Sequence, residues 1–150
     1  MGNEQIFLAL ERFQSMLRAR YQQAMDQYLA AVIEEVKSNH PYQDRTGALT
    51  RSIRRGGVGW HGNELRGEVT TGVPYAEYVE QGTRPHPIVA RKARVLHFVV
   101  DGKEVFTPQV RHPGSKPYPF LGPAVLRTER EFFRIFNAAF NEAKRAAGLV

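Results

Sequence analysis

The sequence predicts an α+β fold, a small antiparallel sheet packed by a long N-terminal helix and a C-terminal helix, and three observations predict it. Apolar residues recur at spacings of three and four over the first 38 positions. Alternating and glycine-bracketed segments then follow, two of them flanking Asp101-Gly102, and helical spacing returns after Gly122. Period 3.6 marks a helix with one covered face, and period 2 marks a strand. Long helices at the two ends with strands between them make a mixed layer arrangement without internal repeats.

The first helix carries Ile6, Leu10, Phe13, Leu17, Tyr21, Met25, Tyr28, Val32 and Val36 on one stripe, uninterrupted by proline or glycine until Asn39-His40-Pro41. Ten turns at 1.5 Å per residue make a rod on the order of 50 Å long. One small core does not cover such a length, so part of the rod is expected to meet another surface. Thr46 is placed to cap a short helix whose Leu49 and Ile53 lie four apart on one side, with Arg51, Arg54 and Arg55 facing out. Glycines at 56, 57, 59 and 62 end that helix, and Leu65 to Thr71 alternates as a strand of a hairpin. Pro74 opens a helical turn over Tyr75 to Glu80, closed by Gly82 where a left-handed residue is wanted, and Tyr75, Tyr78 and Val79 are expected to pack inward.

From Thr83 to Pro119 the sequence holds six of the nine prolines and three of the five histidines. Only Arg94–Val100 and Glu104–Phe106 read as strands there, joined by the Asp101-Gly102 turn, and the remainder reads as loop. Pro123 then sits near the start of a C-terminal helix with Leu126, Phe133, Phe136, Phe140 and Ala143 on one stripe, widened by Phe132 and Ile135. A length of 150 residues suits one domain: a long helix over 1–38, sheet and loops over 46–121, and the C-terminal helix over 122–147.

Composition narrows the function classes. Hydrophobic residues at 42% and charged residues at 24% support a packed core, and the absence of cysteine removes disulfides, thiol nucleophiles and thiolate metal sites. The start of the chain has no secretory pattern and no apolar run is long enough for a bilayer, so the protein is expected to stay in the cytoplasm, with no membrane partner. His86, His97 and His112, with Glu80, Asp101 and Glu104, invite a metal reading, but no two histidines have the strand or helix spacing that directs both rings at one ion. Gly56-Gly57-Val58-Gly59 lacks the lysine and the context of a phosphate loop, and no serine lies in a nucleophile elbow. No catalytic residue, cofactor or metal is therefore expected, and the chain reads as a non-enzyme. The charge of +6 makes a polyanion partner a second reading, a basic DNA-binding protein using Arg84, Arg91, Lys92, Arg94 and Lys103.

Three segments in order carry a more specific signal: Thr46-Gly-Ala-Leu-Thr-Arg-Ser-Ile53, Val73-Pro-Tyr-Ala-Glu-Tyr-Val-Glu-Gln-Gly-Thr83 and His112-Pro-Gly-Ser-Lys-Pro-Tyr-Pro-Phe-Leu-Gly-Pro-Ala124. Together they resemble the gp-ten-like neck and tail-completion proteins of tailed phages, a group that includes the minor tail protein Z type. Thr50 stands where that pattern usually has Arg or Lys, and Ser115 where it often has Thr. The resemblance implies a virion subunit at the head–tail junction, meeting the head connector or stopper and the tail terminator or tail tube proteins. Copies are expected to form a homo-oligomeric ring, a hexamer to match a tail, around the DNA exit channel. The expected subunit contacts are Thr83, Arg84, Pro85, His86, Pro87 and Ile88 with His112, Pro113, Gly114, Lys116, Pro117, Tyr118 and Phe120, chosen for proline content that stiffens them. Arg91, Lys92, Arg94 and Lys103 are the candidates for non-specific contact with packaged DNA.

Overall fold

A computed structural model describes residues 2–149. In chain order the elements are α1 (Asn3–Ser38), α2 (Ala48–Ser52), β1 (Arg54–His61), β2 (Glu64–Thr70), α3 (Ala76–Gln81), β3 (His86–Val89), β4 (Leu96–Val100), β5 (Lys103–Thr107), β6 (Gln109–His112), α4 (Leu121–Arg127) and α5 (Glu129–Ala146). The α+β class holds, and the strands form three antiparallel pairs, β1–β2, β3–β6 and β4–β5. The residues fall into two compact units, 2–76 with 119–149, and 77–118.

The first unit holds the core, around the C-terminal half of α1. Tyr28, Leu29, Val32 and Val36 are buried there, with Tyr42, Leu49 and Ile53 from the next segment and Phe120, Ala124, Ile135, Ala139 and Ala143 from the C-terminal end. α5 runs against α1 in the opposite direction, along a ladder of aromatic pairs: Phe13 with Phe140, Tyr21 with Phe136 and Tyr28 with Phe132, at ring separations of 5.5, 5.1 and 5.2 Å. Tilted and edge-on contacts of this kind suit the quadrupole of the rings. On another side of α1 lies the β1–β2 hairpin. Trp60 Nε1 donates to the Arg18 carbonyl at 3.1 Å and the Arg18 guanidinium covers the indole. Gly67 permits the close approach, since a Cβ there would lie 2.8 Å from Met25 Cγ and 3.0 Å from Leu29 Cδ1.

Several expectations need correction. The C-terminal stripe is borne out in part: Ile135 and Ala143 face the core as expected, with Ala139 beside them, whereas Leu126 is 76% and Phe133 55% exposed. Leu126 and Phe133 lie seven positions apart and so share one side, about 120° around from the row of Ile135, Ala139 and Ala143 that meets the core, while the buried Thr128 between α4 and α5 donates its hydroxyl to the Ala124 carbonyl one turn back and shares a hydrogen bond with the Tyr28 hydroxyl. Tyr75 and Tyr78 do not pack inward; they are 44% and 58% exposed. Helix α3 starts at Ala76, which is the buried residue, and Tyr78 lies about 200° around the helix from it.

The short helix α2 is capped chiefly by Asp44, whose Oδ2 accepts from Thr50 N–H at 2.7 Å, while Thr46 Oγ1 accepts only from Ala48 N–H at 3.3 Å. The glycines at 56, 57 and 59 do not separate helix from strand but lie within β1, where the pairing with β2 slips between Arg55 and Val58. Finally, two stretches read as loop are the paired strands β3 and β6.

Candidate interaction surface

In the second unit, the structure brings together the two segments selected as contacts. β3 pairs β6 with His86 opposite His112, Pro87 opposite Arg111 and Ile88 opposite Val110. Ala90 N–H donates to the Pro108 carbonyl at 2.9 Å, so alternate residues 88 and 86 also turn toward β6 and Pro87 turns its nitrogen to the outer edge. A proline on an outer edge removes no ladder bond, which is why this strand tolerates it.

Ahead of the ladder, Thr83 and Ser115 close a clasp. Each N–H donates to the other's carbonyl, at 3.0 and 3.1 Å, and their hydroxyls lie 3.1 Å apart. Two left-handed glycines permit this approach. Gly82 has φ +72° and a Cβ there would lie 2.6 Å from the Ser115 carbonyl oxygen; Gly114 has φ +86° and its Cβ would run into the Thr83 carbonyl. The Tyr118 N–H donates to the Val79 carbonyl at 2.8 Å and ties the far end of the segment to α3.

The clasp opens onto a groove of about 860 Å³, with Tyr78, Pro85 and Ile88 as apolar walls and Glu77, Arg84 and His86 among its polar ones. The His86 and His112 rings stack with centroids 5.0 Å apart, a proximity that depends on strand pairing and has no signature in local spacing. His86 Nδ1 meets the Arg84 carbonyl at 2.8 Å and must donate, whereas His112 Nδ1 accepts from Gly114 N–H at 3.0 Å. In the neutral forms, His86 therefore keeps a free lone pair on Nε2 and His112 carries its proton there. Such a pair offers one lone pair for a metal, and among the described residues no group of three or more metal-ligating side chains gathers.

The other selected residues divide. Arg84, Pro85, Pro87, Ile88, Pro113, Lys116, Pro117 and Tyr118 lie in this second unit and are all exposed. Phe120 belongs to the first unit and is buried at 7% exposure against Tyr42, with ring centroids 5.3 Å apart, so it braces the core and is withdrawn from the contact set. Arg91, Lys92, Arg94 and Lys103 are all exposed. Lys103 sits at the tip of the β4–β5 hairpin opposite Val100, and Arg94 precedes its base. Arg91, Lys92 and Arg94 lie within four residues of one another ahead of β4, and Lys103 lies at the far end of that strand pair.

The comparison with known families supplies the class of this α+β chain. Residues 5–82 match the family described as "Bacteriophage HK97-gp10, putative tail-component". The chain belongs to this HK97-gp10-like family of phage tail components. No curated protein and no solved structure matches it. Among the described residues no helix is long and apolar enough to cross a membrane.

Proposed function

We propose that this tail component is the neck or tail-completion subunit that joins head to tail, with copies arranged as a ring, a hexamer, around the DNA exit channel, and with both units serving as one functional domain. The observation that carries this reading is the state of the second unit. No residue from Glu77 to Tyr118 is buried, and Tyr78, Ile88, Val99, Val100, Phe106 and Tyr118 stand exposed. A segment without a core of its own is stable only when something else covers it. A virion subunit acquires that cover from its neighbours: other copies, the head connector or stopper, and the tail terminator or tube. The exposed cations Arg91, Lys92, Arg94 and Lys103 suit passing contact with DNA in such a channel. The role in joining is structural, with the clasp holding the strands in one geometry before assembly.

Deletion of the gene tests it. The expected result is DNA-filled heads with separate or aberrant tails in the lysate; normally joined, infectious particles would remove the reading.

A further inference from the structure

The β4–β5 hairpin is the least supported part of the second unit. Its strands pair with each other, His97 stacking on Phe106 at 4.5 Å, and the face that carries these two also presents Val99 and Glu104. Val99 is 60% and Phe106 61% exposed. A lone two-stranded hairpin is marginal in water, so this arm requires a partner surface. From Arg91 to Thr107 it carries four cations, Arg91, Lys92, Arg94 and Lys103, against Asp101 and Glu104.

A surface of matching character exists elsewhere on the same chain. At the start of α1, Glu4, Phe7, Leu8 and Glu11 fall at i, i+3, i+4 and i+7 and share one face. Phe7 is 67% and Leu8 53% exposed. This face points away from Phe13, which meets Phe140 of α5. Asn3 to Glu11 holds two carboxylates and no cation, and Arg12 falls about a quarter-turn to the side. The patch is thus apolar with an acidic border, and the arm is apolar with a basic one.

We infer that the β4–β5 arm of one copy docks on the N-terminal face of α1 of a second copy, Val99 and Phe106 covering Phe7 and Leu8. The contact joins two different patches, so it propagates from copy to copy and closes when the rotation between copies allows. It rests on the ring reading and adds the elements that make the joint.

Two sets of full-length variants test it. Because the chain has no cysteine, Phe7→Cys and Phe106→Cys, made in separate chains and mixed, report this joint alone. The expected result is a disulfide-linked pair containing one of each, in concentrated protein or in assembled particles; absence from both overturns the inference. For the charges, Glu4→Lys with Glu11→Lys, and Arg94→Glu with Lys103→Glu, are each expected to weaken self-association by roughly tenfold or more in sedimentation. Mixed together, the two variants restore it, since every arm then meets a helix of opposite charge. Loss without rescue on mixing overturns the inference. If imaging of particles shows a ring and the cysteine pair does not link, the joint is wrong and the ring reading stands; if particles show no neighbouring copies, the ring reading itself falls.

Discussion

Two identical substitutions at two leucines separate the observed core from the one the helical stripe would select. Leu49 on α2 is 2% exposed and Leu126 on α4 is 76% exposed, although both fall on apolar stripes in the sequence. Leu49→Ala removes a fully buried side chain and leaves a cavity beside residues fixed by the Asp44 cap; such changes cost about 2–5 kcal/mol. Leu126→Ala removes a side chain that is mostly in water, and changes of that kind stay within roughly 0.5 kcal/mol. For a domain of this size, 1 kcal/mol moves the midpoint by about 2–8 °C. Thermal unfolding followed by circular dichroism, on dilute protein to keep copies apart, therefore shows Leu49→Ala melting at least several degrees below wild type and Leu126→Ala melting with it. Equal losses in the two variants would refute the outward placement of Leu126.

Other consequences concern the clasp, the cap and the charge. Gly82→Ala places a Cβ on the Ser115–Pro117 backbone, whereas Gly102→Ala, at φ +76°, meets nothing within 4 Å. Left-handed strain of about 1–2 kcal/mol applies to both, so hydrogen exchange at the Thr83 and Ser115 amides is expected to accelerate in Gly82→Ala and to stay near wild type in Gly102→Ala. Equal exchange in the two variants would show that close approach is unimportant. The Asp44 carboxyl is held below its ordinary range by the Thr50 hydroxyl and then by the Thr50, Leu49 and Gly47 N–H groups, against an opposing effect of burial. Its folded pKa being lowered, its contribution is complete above the ordinary Asp value near ~3.9 and is lost as pH falls through the folded value. Acid titration of stability should be shallower in Asp44→Ala below about pH 4; an unchanged slope would remove Asp44 from the cap. Binding to random duplex DNA at low salt should be weak and fall steeply as salt rises, and Arg91→Ala with Lys92→Ala should reduce both the affinity and the slope. Tight binding that survives physiological salt would favour a DNA-binding protein.

What the residues disclosed depended on how local the governing contacts are. The α1 rod was legible because nine apolar positions repeat at helical spacing over 36 residues without a breaker, and its ends agree with the structure to within a residue or two. Asp101-Gly102 was legible because both residues take positive φ, as a two-residue hairpin turn requires. β3 and β6 were not, since each is four residues long, one holds a proline, and their pairing spans about twenty residues of intervening chain. Tyr75 and Tyr78 misled because aromatic character suggests burial, while the start of α3 decides which side faces the core, and that start gives the place to Ala76. The two candidate segments stand out in the sequence by their prolines, but the stacked histidines needed the ladder, and the burial of Phe120 was not legible because a proline-flanked aromatic looks the same in a loop and at a helix start.

Electron cryomicroscopy of particles carrying a small tag on this chain measures the central claim directly. Tag density is expected at the head–tail junction in a closed ring of copies around the DNA channel. Density along the tail shaft or at its distal tip, with none at the junction, would contradict it.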